Sequence, residues 1–544
     1  MIDASEIPEL SQEDITEMVR KDEKHPHYDV VCNRAQIMRA WHNARAYNIA
    51  PTGAFDKSQI IRKSPIESQS EYNERLENFD LLPLEHKFLQ TQQRIYDENN
   101  VERDYPDTTR DFWKKKESHF DDCGDEVDVF FRDKVLFTKE VEGFGAICLD
   151  VAMNNGRIVS IDGQAVPYAY IIQAEELLNY KTWYGHLQLV LTRVKKGSKH
   201  EYRAFTPNYI YVYEDQTAEP TRVEHRFGRT PAQLLKGAVD SNSGFKVGKP
   251  RRWDITGLYM AASELFYDLK KASSLFGHPI PAYSEGMLKQ MSGVWDDENN
   301  EFIADQVREE VGMVITYPDD SPPNKLFYQA DMQGLQHLRE VIFGDLINLI
   351  YQIAQVRDKS KVVHNASGRS KQFDSVEEQG LLAQTATDME AIEKSVFEMM
   401  ANVRGESFDK FNVVYSKHHD LSSADEIWKQ FTEGVQYGGV PATVKKYQVK
   451  EYLRKKSAPN EVRMELAEEI MNVGFPMSSE ELNALKDKID DTVLILKTRP
   501  ELANESARNF IIEQLENVNE LLGEDDTSNE PEINADNEDQ PQID

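Results

Sequence analysis

Three long amphipathic stretches between residues 253 and 404 constrain this chain more than any other feature. In residues 253–276, Leu258, Ala262, Leu265, Leu269, Ala272 and Phe276 recur at alternating spacings of four and three. That is the pattern of a helix with one apolar seam, about 36 Å long at 1.5 Å per residue. Residues 332–356 repeat it with Leu338, Ile342, Leu346, Leu349, Ile353 and Val356. Residues 374–404 do so again with Leu382, Thr385, Met389, Ile392, Val396, Met399 and Val403, and Ser375 with Glu378 fits a capping box at that helix's start. Each seam needs a covering surface, so the second half is predicted to be long helices laid on one another.

Two unlike segments separate these helices. Residues 277–323 are bracketed by Gly277, Pro279, Pro281 and Pro323, and carry Trp295, an acidic turn at Asp296, Asp297 and Glu298, and two short β-like runs at 301–303 and 313–317. They read as a compact insertion. Residues 357–372 (RDKSKVVHNASGRSKQ) place Arg357, Lys359, Lys361, Arg369 and Lys371 in a loop, a local reversal of sign in a chain with 95 acids against 63 bases and a formal charge of −32. The bland reading is a solvated connection. The functional one is electrostatic contact with phosphates, which needs no base-edge chemistry. Elsewhere the acidic field argues against tight wrapping of nucleic acid by the outer surface.

The first 250 residues differ in character. Residues 28–117 read as helical pieces broken by prolines. Residues 126–151 (EVDVFFRDKVLFTKEVEGFGAICLDV) read as a helix that stops at Gly143 and passes into a buried strand at 146–151. Strands are expected at 157–161, 165–171, 187–194 and 202–213, the last two joined by Lys195-Lys196-Gly197-Ser198, with Tyr209, Tyr211 and Tyr213 on a half-exposed face. Beyond a strand expected at 411–415, short helices are expected to residue 522. Residues 523–544 hold many acids and no base, which predicts a disordered tail. The fold class expected is α+β, predominantly helical. At 544 residues the chain has room for three or four domains.

Catalytic signatures are weak. Gly143-Phe144-Gly145 lacks a third glycine and precedes its strand, so it does not match a dinucleotide fingerprint. There is no GxxxxGK[ST] run and no GxSxG elbow. His25-Pro26-His27 and His418-His419-Asp420 lack metal-ligand spacing. Three separated cysteines favour a reducing compartment over a disulfide framework. No catalytic residue, metal or cofactor is expected, and neither a signal peptide nor a membrane span is read.

Phe112-Trp113, the run 125–152, Val166-Pro-Tyr168 with 171–181 (IIQAEELLNYK), and the order helix, insertion, helix, loop with Ser367-Gly368, helix over 253–404 together resemble the portal proteins of tailed bacteriophages. The likeness spans roughly residues 80 to 405. In the subfamily's Pro-Tyr segment, tyrosine and lysine here replace the tail of the pattern. The resemblance implies an α/β wing at 1–250, stem helices at 251–276 and 326–357, a β-containing clip at 277–325, a tunnel loop at 358–373, a long wing helix and return strand at 374–420, a helical crown at 421–522 and the acidic tail at 523–544. It implies a non-enzymatic ring of about twelve subunits at one capsid vertex, assembled in the host cytoplasm, through which double-stranded DNA enters and leaves. Partners implied are a terminase packaging motor, head-completion or tail adaptors, and major capsid and scaffolding proteins. Trp295, Asp296 and Asp297 would contribute to docking, and Arg357, Lys359, Lys361, Arg369 and Lys371 would face the DNA. An acid/base hydrolase with an oligomerising helical region, or another virion assembly or adaptor protein, is the alternative.

Overall fold

The computed structural model describes residues 7–44, 57–65, 67–97, 100–154, 157–158, 160–161, 164–276, 280–284, 295–296, 301–302, 315–318, 327–328, 332–356, 368–408, 411–417, 424–436, 442–456 and parts of 483–494. It is a mixed helical and β structure. The chain divides into two compact units, one of residues 1–96 and 103–419, the other of residues 97–102 and 420–544.

The first unit opens with helices α1 (Gln12–Arg20), α2 (Tyr28–His42), α3 (Gln69–Asn78), α4 (Leu84–Gln93) and α5 (Arg110–Glu117). Ser11 caps α1 by accepting from the Asp14 amide, and Ser68 with Glu71 forms a full capping box on α3. The predicted helix before Gly143 forms, but much of it is π-helical, at Phe130–Val135 and Thr138–Glu142. It ends at Gly143, whose φ of 81° is the left-handed value that a glycine tolerates.

The strands then build two sheets. β1 (Phe144–Val151) lies between β2 (Pro167–Ile172) and, later in the chain, β8 (Ala232–Lys236) in a three-stranded antiparallel sheet. Between them β3 (Leu177–Trp183), β4 (His186–Lys196), β5 (Lys199–Phe205), β6 (Tyr209–Tyr213) and β7 (Thr221–Glu224) form a five-stranded antiparallel meander. β3, β7 and β8 were not expected from the sequence, and the run 157–161 divides into two short hairpin strands, Arg157–Ile158 and Ser160–Ile161. The expected strand 202–213 is a hairpin instead. It breaks at Thr206, whose hydroxyl accepts from the Tyr209 amide across Pro207.

Both faces of the meander are covered. Leu189, Leu191, Tyr202, Tyr211 and Tyr213 meet Ile15, Met18 and Val19 of α1, while Val190, Phe205 and Ile210 meet Phe144, Ala146, Cys148 and Ile172 of the smaller sheet. The tyrosine face of β6 is therefore mostly buried, because α1, an element far away in sequence, lies on it. Cys32 and Cys148 are buried thiols and Cys123 is exposed, none of them bonded to another cysteine.

The long helices follow. α6 (Thr256–Phe276) continues a 3-10 turn, Trp253–Ile255. It buries Ile255, Tyr259, Ala262 and Tyr267, and leaves Leu258, Leu265 and Leu269 half-exposed. The insertion holds a three-stranded arrangement in which Ile280–Ser284 pairs in parallel with Ile315–Tyr317 and antiparallel with Phe327–Tyr328. The return helix is α7 (Met332–Glu340), a π-helical turn Val341–Leu346, and α8 (Ile347–Ile353). Ring contacts join Phe266 to Phe343, and Phe88 links Tyr259 to Tyr351, so the helix runs back antiparallel to α6. α9 (Gly368–Val403) is 36 residues long. It begins before Ser375, so Ser375 is not its cap, and Glu378 instead accepts from Arg94 Nη1 at 3.0 Å.

The second unit contains α10 (Ala424–Gln436) and α11 (Ala442–Lys455), with Trp428 and Phe431 against one another and Trp428 4.8 Å from the Tyr452 ring. Leu485, Ile489 and Val493 are buried, and Tyr452 donates to Asp490 at 2.6 Å. Among the described residues, no helix is long and apolar enough to cross a membrane. The acidic run 523–544 lies outside the described residues.

Candidate functional site

The long helices leave the α/β body at one densely charged point. Glu140, in the π-helical turn, is wholly buried, and both of its oxygens are taken. Oε1 accepts from Lys139 Nζ at 2.7 Å, and Oε2 accepts from Gln92 Nε2 at 2.9 Å and from Arg251 Nε. Burial by itself raises a carboxyl pKa, but here Lys139, Arg251 and Arg252 outweigh it and hold Glu140 well below the usual carboxylate range.

Neighbouring contacts extend this cluster to every element around it. Arg252, buried, donates through Nε to both oxygens of Glu85 at 2.9 Å and through Nη1 to Gln92 Oε1 at 2.9 Å. Tyr259 of α6 donates to Glu85 Oε2 at 3.0 Å. Lys139 pairs with Asp388 of α9 at 3.0 Å, and Gln92 donates to Thr385 of α9 at 3.3 Å. The cluster thus fastens α4, α6 and α9 to the end of the π-helical segment. Lone buried charges would cost several kcal/mol each, whereas here each has an opposite charge or a hydrogen-bond partner.

Glycines allow the basic stretch 248–252 to reach that place. A Cβ on Gly143 would meet Pro250 N at 2.1 Å, and one on Gly248 would meet Gly143 O at 2.3 Å. The Gly143-Phe144-Gly145 turn therefore serves close backbone packing, and Gly237 N donates to Gly143 O at 2.8 Å beside it.

A second buried carboxylate lies two residues on. Glu142 Oε1 accepts from Arg39 Nε at 2.7 Å, and Arg39 also bonds Glu175 at 2.8 Å. Burial pushes Glu142 up to about 7 against the pull of Arg39. Glu140 and Glu142 thus differ in protonation as an acid/base pair would, but both are buried among protein partners, and Glu140 has no oxygen left for a substrate. Asp121, with Asp122 and Cys123, is the grouping of possible metal ligands among the described residues, and it accepts from the Cys123 and Asp125 amides and from Lys134. His25 is a core residue between the rings of Tyr28, Phe144 and Tyr180.

Of the residues singled out from the sequence, only some are among the described residues. Arg357, Lys359 and Lys361 fall outside the described residues. Arg369 and Lys371 belong to the first turns of α9 rather than to a loop running to Gln372, because the helix starts at Gly368. Trp295 and Asp296 form a strand paired with Phe302 and Glu301, and Asp297 is outside the described residues. Sequence reasoning missed Glu85, Gln92, Glu140, Arg251 and Arg252. The available signal was Lys139-Glu140-Val141-Glu142, ionisable residues inside an otherwise apolar run, together with the Lys-Pro-Arg-Arg of 249–252.

On the return helix the apolar seam is displaced. Ile342 is buried as expected, yet Leu349 is 43% and Ile353 49% exposed, while Ile350, Tyr351 and Ala354 are buried in their place. The π-helical turn inserts one extra residue per turn, so every later position rotates by about 100°. Phe343, at 43% exposure, lies in that turn. Leu349 and Ile353 consequently keep nearly half of their surface exposed, while Phe343 meets the Phe266 ring edge-on.

No known protein-family profile matches the chain, and no curated protein is similar to it.

Proposed function

We propose that this chain is a portal-type ring subunit, a non-enzymatic channel component at a capsid vertex through which double-stranded DNA is packaged and released. The observation that carries the reading is the helix pair α6 and α7–α8. It brackets a small β-bearing insertion, is tied through α6 to an α/β body by a buried ion cluster, and leaves Phe343, Leu349 and Ile353 partly exposed. A ring of about twelve copies would cover those side chains by contact with the neighbouring subunit. In this reading the strand pair at Trp295 belongs to the clip that docks a packaging motor and then an adaptor, and Arg369 and Lys371 lie next to a tunnel loop at the root of α9.

The deciding experiment is native mass by light scattering, with particle images of the same peak. A closed ring of twelve 62.6 kDa chains gives roughly 750 kDa and end views with a central hole. A species that stays monomeric at high concentration, and remains so with capsid and scaffolding proteins present, overturns the proposal.

A further inference from the structure

The β4–β5 hairpin carries cations where neighbouring strands no longer support it. β3 pairs with β4 only as far as Thr192, and β6 pairs with β5 only from Tyr202 onward. Beyond these points the two strands continue alone to the Gly197-Ser198 turn, with Lys196 opposite Lys199 and Lys195 opposite His200. At about 3.3 Å per residue this ribbon projects roughly 10 Å past the sheet. All six residues 195–200 are exposed.

Directly opposed like charges destabilise a strand pair, and this ribbon carries such a pair on one face and a lysine opposite a histidine on the other. Residues that face each other across a ladder share a face, so Lys196 and Lys199 point to one side and Lys195 and His200 to the other. The acids nearby are Glu201, which pairs with Lys196 and with Arg203, and Asp215, whose carboxyl is held low by Thr217 and in part by Lys199. They leave the ribbon net positive within a chain of net charge −32.

The geometry points to the β4–β5 ribbon as a phosphate-gripping finger for duplex nucleic acid, entering the major groove with Lys196 and Lys199 toward one phosphate wall and Lys195 toward the other. A two-stranded β-ribbon is one of the two elements that fit this groove, about 12 Å wide. Cations on both faces suit a ligand with two anionic walls. A single acidic peptide would need only one. Contact is with backbone phosphates and carries no sequence preference. The finger is distinct from the basic residues at 357–371, and its existence does not depend on ring formation.

The test is fluorescence anisotropy of the full-length protein with a short labelled duplex, the matching single strand, and labelled poly-glutamate, each titrated over salt. Three lysine contacts give a slope of log affinity against log salt near −2.7, so duplex affinity falls about 40-fold between roughly 50 and 200 mM salt. The variant Lys195→Gln/Lys196→Gln/Lys199→Gln loses that slope and binds at least tenfold more weakly at low salt. Glu201→Gln, which releases Lys196, binds the duplex more tightly than the parent. The two changes have opposite signs, so misfolding cannot imitate them together. Equal affinity for single strand, preference for poly-glutamate, or an unchanged slope in the triple variant each overturns the finger. None of these outcomes alters the native mass, which tests the ring separately.

Discussion

Two regions of the first unit reverse the usual distribution of side chains. Around Glu140 the protein buries charges: Lys139, Glu140, Arg252 and Glu85 are nearly inaccessible. Along the return helix it exposes hydrocarbon: Phe343, Leu349 and Ile353 each leave nearly half of their surface in water. The first arrangement is self-sufficient, because every buried charge finds an opposite charge or a donor within the same chain. The second is not. Leu349 and Ile353, one turn apart, keep nearly half of their surface in water, and a partner surface would remove it at about 25 cal/mol per Å². The charged cluster is satisfied within the chain, whereas the return helix leaves apolar surface in water.

The contrast can be broken most forcefully at the charged end. Glu140→Ala leaves Lys139, Arg251 and Arg252 without their common anion, and is expected to destabilise the first unit by about 3–5 kcal/mol. Chemical denaturation followed by tryptophan fluorescence measures this, and a loss below 1 kcal/mol would show that the cluster is looser than its geometry implies.

A smaller, pH-dependent effect comes from Glu142 and His225. Glu142 is raised from 4.5 to about 7 in the folded chain, so it binds a proton more readily folded than unfolded. Its contribution is fully present below pH 4.5 and is lost as pH rises through 7, a swing of up to about 3 kcal/mol. His225 is lowered from 6.5 to about 4 by burial, and its ring lies 2.9 Å from the Thr206 carbonyl. Its contribution is present above pH 6.5 and is lost as pH falls through 4. Stability curves for Glu142→Gln and His225→Gln should therefore diverge from the parent in opposite directions between pH 4.5 and 6.5. Parallel curves would remove both assignments.

The smallest effect on the monomer sharpens the other side of the comparison. Replacing Leu349 and Ile353 together by alanine removes groups that already lie about half in water, so stability should fall by only about 1–2 kcal/mol. The same variant should lower the native mass if this face is an interface. A stability loss of several kcal/mol would mean that the face packs within the chain.

Much of the local architecture was legible beforehand. The three helices announced themselves by their spacing, and the stop at Gly143 followed from a glycine set between an apolar helix and an apolar strand. Gly197 likewise marked the β4–β5 turn. Other features were hidden because their causes are not local. Leu349 and Ile353 fit the seam by counting, yet the π-helical turn before them moved the buried stripe to Ile350 and Ala354. Ser375 and Glu378 have the right spacing for a cap, but the helix starts seven residues earlier and Glu378 serves Arg94. Tyr211 and Tyr213 alternate like residues on a half-exposed strand, and α1 covers them.

The amino-acid order by itself determined where the chain turns and which stretches are helical, since hydrogen bonds between residues four apart and glycine's backbone freedom act over a few positions. Tertiary structure alone decided which faces those helices bury and which charges survive inside. Arg252 meets Glu85 across a separation of 167 residues, and a contact of that range leaves no periodic trace in the sequence around either partner.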